Sequence, residues 1–121
     1  MAALTQIGVA CIFHLIDIAT GIIGAIREKA INSAKMRDGL FKKLGFIFCY
    51  ILAYLIDTQG ETIGLHFDAH ILPVVIIYAV TTEVVSIIEN ISKINPDLLP
   101  EKLQDIFKVG EYHDRKEGKN A

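Results

Sequence analysis

Three long apolar stretches separated by polar connectors run along the chain. No Lys or Arg occurs from Ala2 to Ile26, and Asp17 is the sole acid there. Leu44 to Ile56 carries no charge, and Glu83 is the only Asp, Glu, Lys or Arg from Ala69 to Ile88. A helix on the surface of a soluble bundle would set charged residues opposite an apolar stripe. These blocks are apolar nearly all round, so they read as membrane spans. The expected spans are residues 3–26, 40–58 and 69–89. The first and third are long enough for a hydrocarbon core ~30 Å thick, at about 1.5 Å per residue. The second has a charge-free centre of only 13 residues, Leu44–Ile56. It needs Leu40, Phe41 and the stems of Lys42 and Lys43 to complete the crossing, with both ammonium groups snorkelling outward.

The fold expected is an all-α integral membrane protein with three transmembrane helices in a membrane domain over residues 1–94. Asn95, Pro96 and Pro100 interrupt the helix that leaves the third span. Over residues 95–121 a short amphipathic cytoplasmic helix and a charged tail are expected. Leu99, Leu103, Ile106 and Phe107 supply its apolar stripe, suited to the membrane surface or to the ends of the bundle. Gly110 is the expected stop.

Composition points the same way. Of 121 residues, 52% are hydrophobic and 21% charged, and the mean hydropathy is +0.43, too apolar for a disordered chain. Twelve basic against fourteen acidic residues leave a net charge of −2, with no basic excess to meet nucleic-acid phosphates. Cys11 and Cys49 sit in apolar runs and read as small hydrophobes. His66, Asp68 and His70 have metal-ligand chemistry, but a polar helix start before Pro73 accounts for them, so no metal is expected. Gly21-Ile22-Ile23-Gly24 lacks the Lys and Ser/Thr of a phosphate loop. No cofactor fingerprint and no catalytic constellation stands out, so no cofactor and no enzymatic activity are expected.

Basic residues set the expected orientation. Six of the twelve lie between Arg27 and Lys43, none between Asp57 and Asp68, and the other six after Asn90. The positive-inside rule puts the first connector and the tail in the cytoplasm, hence N-out and C-in. Met1–Gln6 has no basic residue, unlike the start of a signal peptide, so the first block reads as a retained span.

Polar residues inside the spans are the candidate functional groups. Ten Ile, Leu, Val and Phe between Ile7 and Ile26 favour insertion by about 3–6 kcal/mol, of which one central Asp offsets ~2.5–3.5. Asp17 therefore belongs against other helices or water. His14, Asp17, Gly21, Gly24 and Glu28 follow steps of three and four along one helical stripe. Ala79, Thr82, Glu83, Ser86, Glu89 and Asn90 share a side of the third span. Asp17 and Glu83 both fall in the cytoplasmic half of the membrane, so contact between the stripes is expected. Such stripes either hold helices together or face an aqueous opening. Gly45, Cys49 and Ala53, spaced by four, read as a helix-packing face.

Three segments resemble the toxin secretion/phage lysis holin family. Asp17-Ile18-Ala19-Thr20-Gly21 is similar to its Asp and Thr-Gly in an early span. Ser33 to Lys43, with Ser33, Gly39-Leu40 and the pair Lys42-Lys43, is similar to its loop. Thr82 to Asn90 resembles its Glu, Ser, Glu-Asn signature, and the Pro and Leu residues from Pro96 to Leu103 also fit the family. The resemblance implies a homo-oligomer in the lipid bilayer that opens lesions, releasing a cytoplasmic endolysin or a toxin. Two other readings stay open: an antiholin, and a transporter subunit in which Asp17 and Glu83 carry protons or cations. A structural assembly factor is a further alternative.

Overall fold

The computed structural model describes residues 2–98. Three helices make up nearly all of it: α1 (Ala2–Arg27), α2 (Ser33–Gln59) and α3 (Leu72–Ile94). All three are long and apolar enough to cross a membrane. Their lengths of 26, 27 and 23 residues correspond to about 39, 40 and 35 Å of helix. The amphipathic segment expected after Pro100 lies outside the described residues.

Local chemistry explains where each helix begins and ends. At the end of α1 the Ala30 N–H reaches back to the Ala25 carbonyl (2.9 Å), and Lys29 adopts a left-handed φ of 55°. That is a helix-terminating turn of the kind that usually recruits Gly or Asn. Asn32 then caps α2: its backbone is extended and its side chain accepts the Lys35 N–H at 3.1 Å. Consequently α2 starts seven residues before the expected second span, and Ser33–Lys43, expected as a loop, forms its first three turns.

A 3-10 turn, Gly60–Ile63, comes after α2, and Gly64 closes it at φ 83°, where a side chain would be strained. The next helix has no cap of its own, since Ile71 occupies the N-cap position. Asp57, from the last turn of α2, serves instead: its two carboxylate oxygens accept the Ile71 N–H (2.7 Å) and the Leu72 N–H (2.8 Å). An acid is unfavourable at the C-terminal end of its own helix and favourable at the N-terminus of the next. Asp57→Ala is expected to cost about 0.5–2 kcal/mol, read as a lower midpoint of unfolding in detergent, whereas Thr58→Ala should have little effect.

The core is small and lies between the helices. Ala10, Tyr50, Ala53, Leu72, Ile76 and Ala79 form it. Ala10 of α1 and Ala79 of α3 are both fully buried, and α1 packs far more closely on α3 than on α2. The outer faces are apolar: Leu15, Ile16 and Ile23 on α1, Leu52 and Leu55 on α2, and Val74, Ile77 and Tyr78 on α3 are exposed. Apolar faces of this extent suit contact with lipid rather than water.

A buried ionic cluster as the candidate functional site

Charged and polar groups from all three helices meet inside this apolar frame. Glu83 of α3 is 1% exposed, His14 of α1 5% and Lys43 of α2 9%. The Lys43 ammonium donates to Asp17 Oδ2 at 2.6 Å and lies 3.3 Å from Glu83 Oε2. One cation from α2 thus ties an acid of α1 to an acid of α3. Charges buried this deeply persist only when paired and hydrogen-bonded.

Two further sets of contacts complete the cluster. The Asn90 amide donates to Asp17 Oδ1 (2.9 Å), the Asp17 carbonyl (3.3 Å) and Thr20 Oγ1 (3.1 Å). Thr20 in turn donates its hydroxyl to the Ile16 carbonyl at 2.8 Å. On the other side, His14 Nε2 and the Tyr50 hydroxyl are 2.7 Å apart. The His14, Phe46 and Tyr50 rings lie near-parallel in a triangle, with centroids 5.6 Å (His14–Phe46), 5.8 Å (His14–Tyr50) and 6.5 Å (Phe46–Tyr50) apart. Among the described residues, two buried side-chain polar atoms lack a hydrogen bond, His14 Nδ1 and Glu83 Oε2, and they face each other at 3.4 Å.

The electrostatics can be read from this inventory. With neutral imidazole, the ammonium and two carboxylates sum to −1. The Tyr50 hydroxyl then donates to Nε2, and Nδ1 carries the ring proton toward Glu83 Oε2 at 3.4 Å, a close polar approach that falls short of a hydrogen bond. The arrangement joins three helices through charge rather than through apolar packing alone. It is therefore sensitive to anything that changes the charge or hydration of one member.

The structure brings together several residues singled out from the sequence. His14, Asp17 and Glu83 meet, and Asn90 joins them. Gly21 and Gly24 pack on α3: a Cβ at Gly21 would sit 3.5 Å from Asn90 Nδ2, and one at Gly24 3.4 Å from both the Asn90 carbonyl oxygen and Lys93 Cβ. Ser86 lines the same cavity as Asp17 and Asn90, and Glu89 is half-buried on α3. A larger side chain at Gly24 forces the helices apart. Gly24→Leu is expected to cost about 1–3 kcal/mol and Gly8→Leu almost nothing, since a Cβ at Gly8 meets no atom within 4 Å. Unfolding midpoints of the two purified variants check this.

Other candidate residues lie elsewhere. Ser33 and Lys42 are exposed and Gly39 half-buried on the first turns of α2. Of the proposed packing face, Ala53 is in the core, whereas Gly45 and Cys49 point outward and a Cβ at Gly45 meets nothing within 4 Å. Among the described residues no group of three or more His, Cys, Asp or Glu is placed to hold a metal ion.

Sequence reasoning misses two members of the cluster. Lys43 does not snorkel outward; it turns inward onto the two acids, while its neighbour Lys42 stays exposed above the Phe46 ring at 6.0 Å. Tyr50 is the second. A signal for both exists: Lys43, Phe46, Tyr50, Ala53 and Asp57 succeed one another in steps of three and four on one side of α2.

A model of the bacteriophage holin family matches residues 4–111 of the chain, a stretch that contains the whole cluster. No curated protein and no solved structure matches it.

Proposed function

The chain belongs to the bacteriophage holin family, and from that premise we propose that it oligomerises in the bacterial inner membrane and opens lesions that release an endolysin, or a toxin, at a set time. The observation that carries this reading is the ionic cluster of His14, Asp17, Lys43 and Glu83 inside a bundle with an apolar exterior. A lesion wall needs helices with one face for lipid and another that tolerates water. In the isolated chain the water-tolerant groups are turned inward and face one another as ion pairs. On lesion opening the stripes of α1 and α3 exchange these partners for water. Gly45 and Cys49, on the lipid-facing side of α2, allow a second copy to approach closely. The N-terminus lies outside and the C-terminal tail in the cytoplasm, in keeping with the basic residues.

Induced expression in bacteria, with and without a co-expressed cytoplasmic endolysin, tests the reading through optical density and membrane potential. The expected result is a delayed, abrupt collapse of potential, with lysis only when endolysin is present. Continued growth at intact potential, with the protein present in the membrane, overturns it in favour of an antiholin or a transporter subunit.

A further inference from the structure

At the end of the bundle marked by Arg27 and Lys29, a cleft between α1 and α2 widens into a cavity of about 290 Å³. Along their whole length α1 packs closely on α3 and only sparsely on α2, which leaves room for it. The floor is the Asp17–Lys43 ion pair with Asn90 beside it. Ile18 and Ile22 of α1 face Met36 and Leu40 of α2 across it as apolar walls. Lys35 and Lys93 stand at the mouth, together with Glu28. Neither lysine makes an ion pair with a described residue.

We propose that this cleft is a phospholipid site. The phosphate sits between Lys35 and Lys93, and one acyl chain runs inward along Ile18, Ile22, Met36 and Leu40. The chemistry is that of an amphiphile: cationic at the mouth, apolar along the walls, and closed at the floor by groups that already satisfy each other. Ile22, Met36 and Leu40 are exposed and continue the outer apolar surface of the bundle, so a lipid enters sideways without crossing a polar barrier. Room for it remains at Gly39, where a Cβ would meet no atom within 4 Å. A second copy of the chain fits less well, because it brings its own basic connector, with six Lys and Arg between Arg27 and Lys43, to a cationic mouth. The site goes beyond the lesion-forming reading and does not depend on it.

The test uses the full chain in vesicles of phosphatidylethanolamine and phosphatidylglycerol doped with a phospholipid carrying a photoreactive group midway along one acyl chain. Cross-linked residues are mapped by mass spectrometry, with lipid-facing Ile77 as the internal reference. Labelling at Met36 and Leu40 is expected to exceed that at Ile77. The double variant Lys35→Gln/Lys93→Gln should lower the excess about tenfold or more, since each lysine close to an anionic headgroup raises affinity roughly fivefold. Gly39→Leu, which fills the cleft and leaves both lysines in place, should remove it independently. Labelling no stronger than at Ile77 and unchanged in both variants means bulk lipid contact only and overturns the proposal. Cross-links between copies at Met36 or Leu40 also overturn it, since a second chain then fills the cleft. So does full competition by inorganic phosphate, which would mark a site for free anions.

Discussion

Lys43→Met is expected to destabilise the folded bundle by about 3–5 kcal/mol, against less than ~0.5 kcal/mol for Lys42→Met. The two lysines are adjacent in sequence and about 100° apart around α2, which sends one inward and one outward. Methionine keeps an unbranched stem of similar length and removes the ammonium, with both its charge and its N–H donors. Without the ammonium, Asp17 and Glu83 lose the group that holds each of them, at 2.6 and 3.3 Å. Both carboxylates are then buried in an apolar frame with their shared counter-charge gone. Breaking a buried pair costs far more than its formation contributes, because the orphaned charge has no water to return to. The triple variant Lys43→Met/Asp17→Asn/Glu83→Gln should recover most of the loss, since it removes the whole set of charges together. Unfolding in detergent, monitored by circular dichroism at helical wavelengths, measures all three. Equal midpoints for the two lysine variants would show that Lys43 contributes nothing special.

Lys43 also marks the limit of what the sequence discloses. The membrane class and the three helices are legible because charge is absent from long blocks, a signal that survives any detail of packing. The stripes of α1 and α3 are legible too, because His14, Asp17 and Glu83 are expensive in a bilayer and their spacing places them on helix faces. The inward turn of Lys43 depends on where α2 begins. If Ser33–Lys43 is a connector, Lys43 sits at a span end and snorkelling is the cheaper expectation. The Asn32 cap makes that segment helical, and the phase of α2 then aligns Lys43 with Tyr50 and Ala53. The same phase turns Gly45 and Cys49 away from the bundle, although their small size suits a packed face equally well. Spacing defines a stripe, but only the position of the neighbouring helix selects which stripe is turned inward. Asp57 carries a quieter clue: an acid in the last turn of a helix works against its own dipole, and here it caps the next helix instead.

Asp17→Leu and Glu83→Leu should each delay the onset of lysis or abolish it, while leaving the protein in the membrane. The contrast with Lys43→Met lies in the charge that stays behind. Removing Glu83 leaves the Asp17–Lys43 pair at 2.6 Å, and removing Asp17 leaves the Lys43–Glu83 pair at 3.3 Å. Each single variant therefore keeps one neutral pair, so the packed bundle survives. The open state is affected in the opposite direction. A leucine placed where a carboxylate would meet water adds unfavourable hydration of about 1.5–3 kcal/mol per subunit, and about 1.4 kcal/mol already corresponds to a tenfold change in rate. In an oligomer the penalty recurs in every copy, so even the lower figure is large. Glu83→Gln separates polarity from charge. It keeps a group that water can solvate, and its onset should fall nearer to that of the unsubstituted chain than Glu83→Leu does. The readout is the time of potential collapse after induction, at matched amounts of protein in the membrane. If both leucine variants trigger at the unsubstituted time, the stripes do not face water in the lesion, and the polar cluster serves only to hold the three helices together.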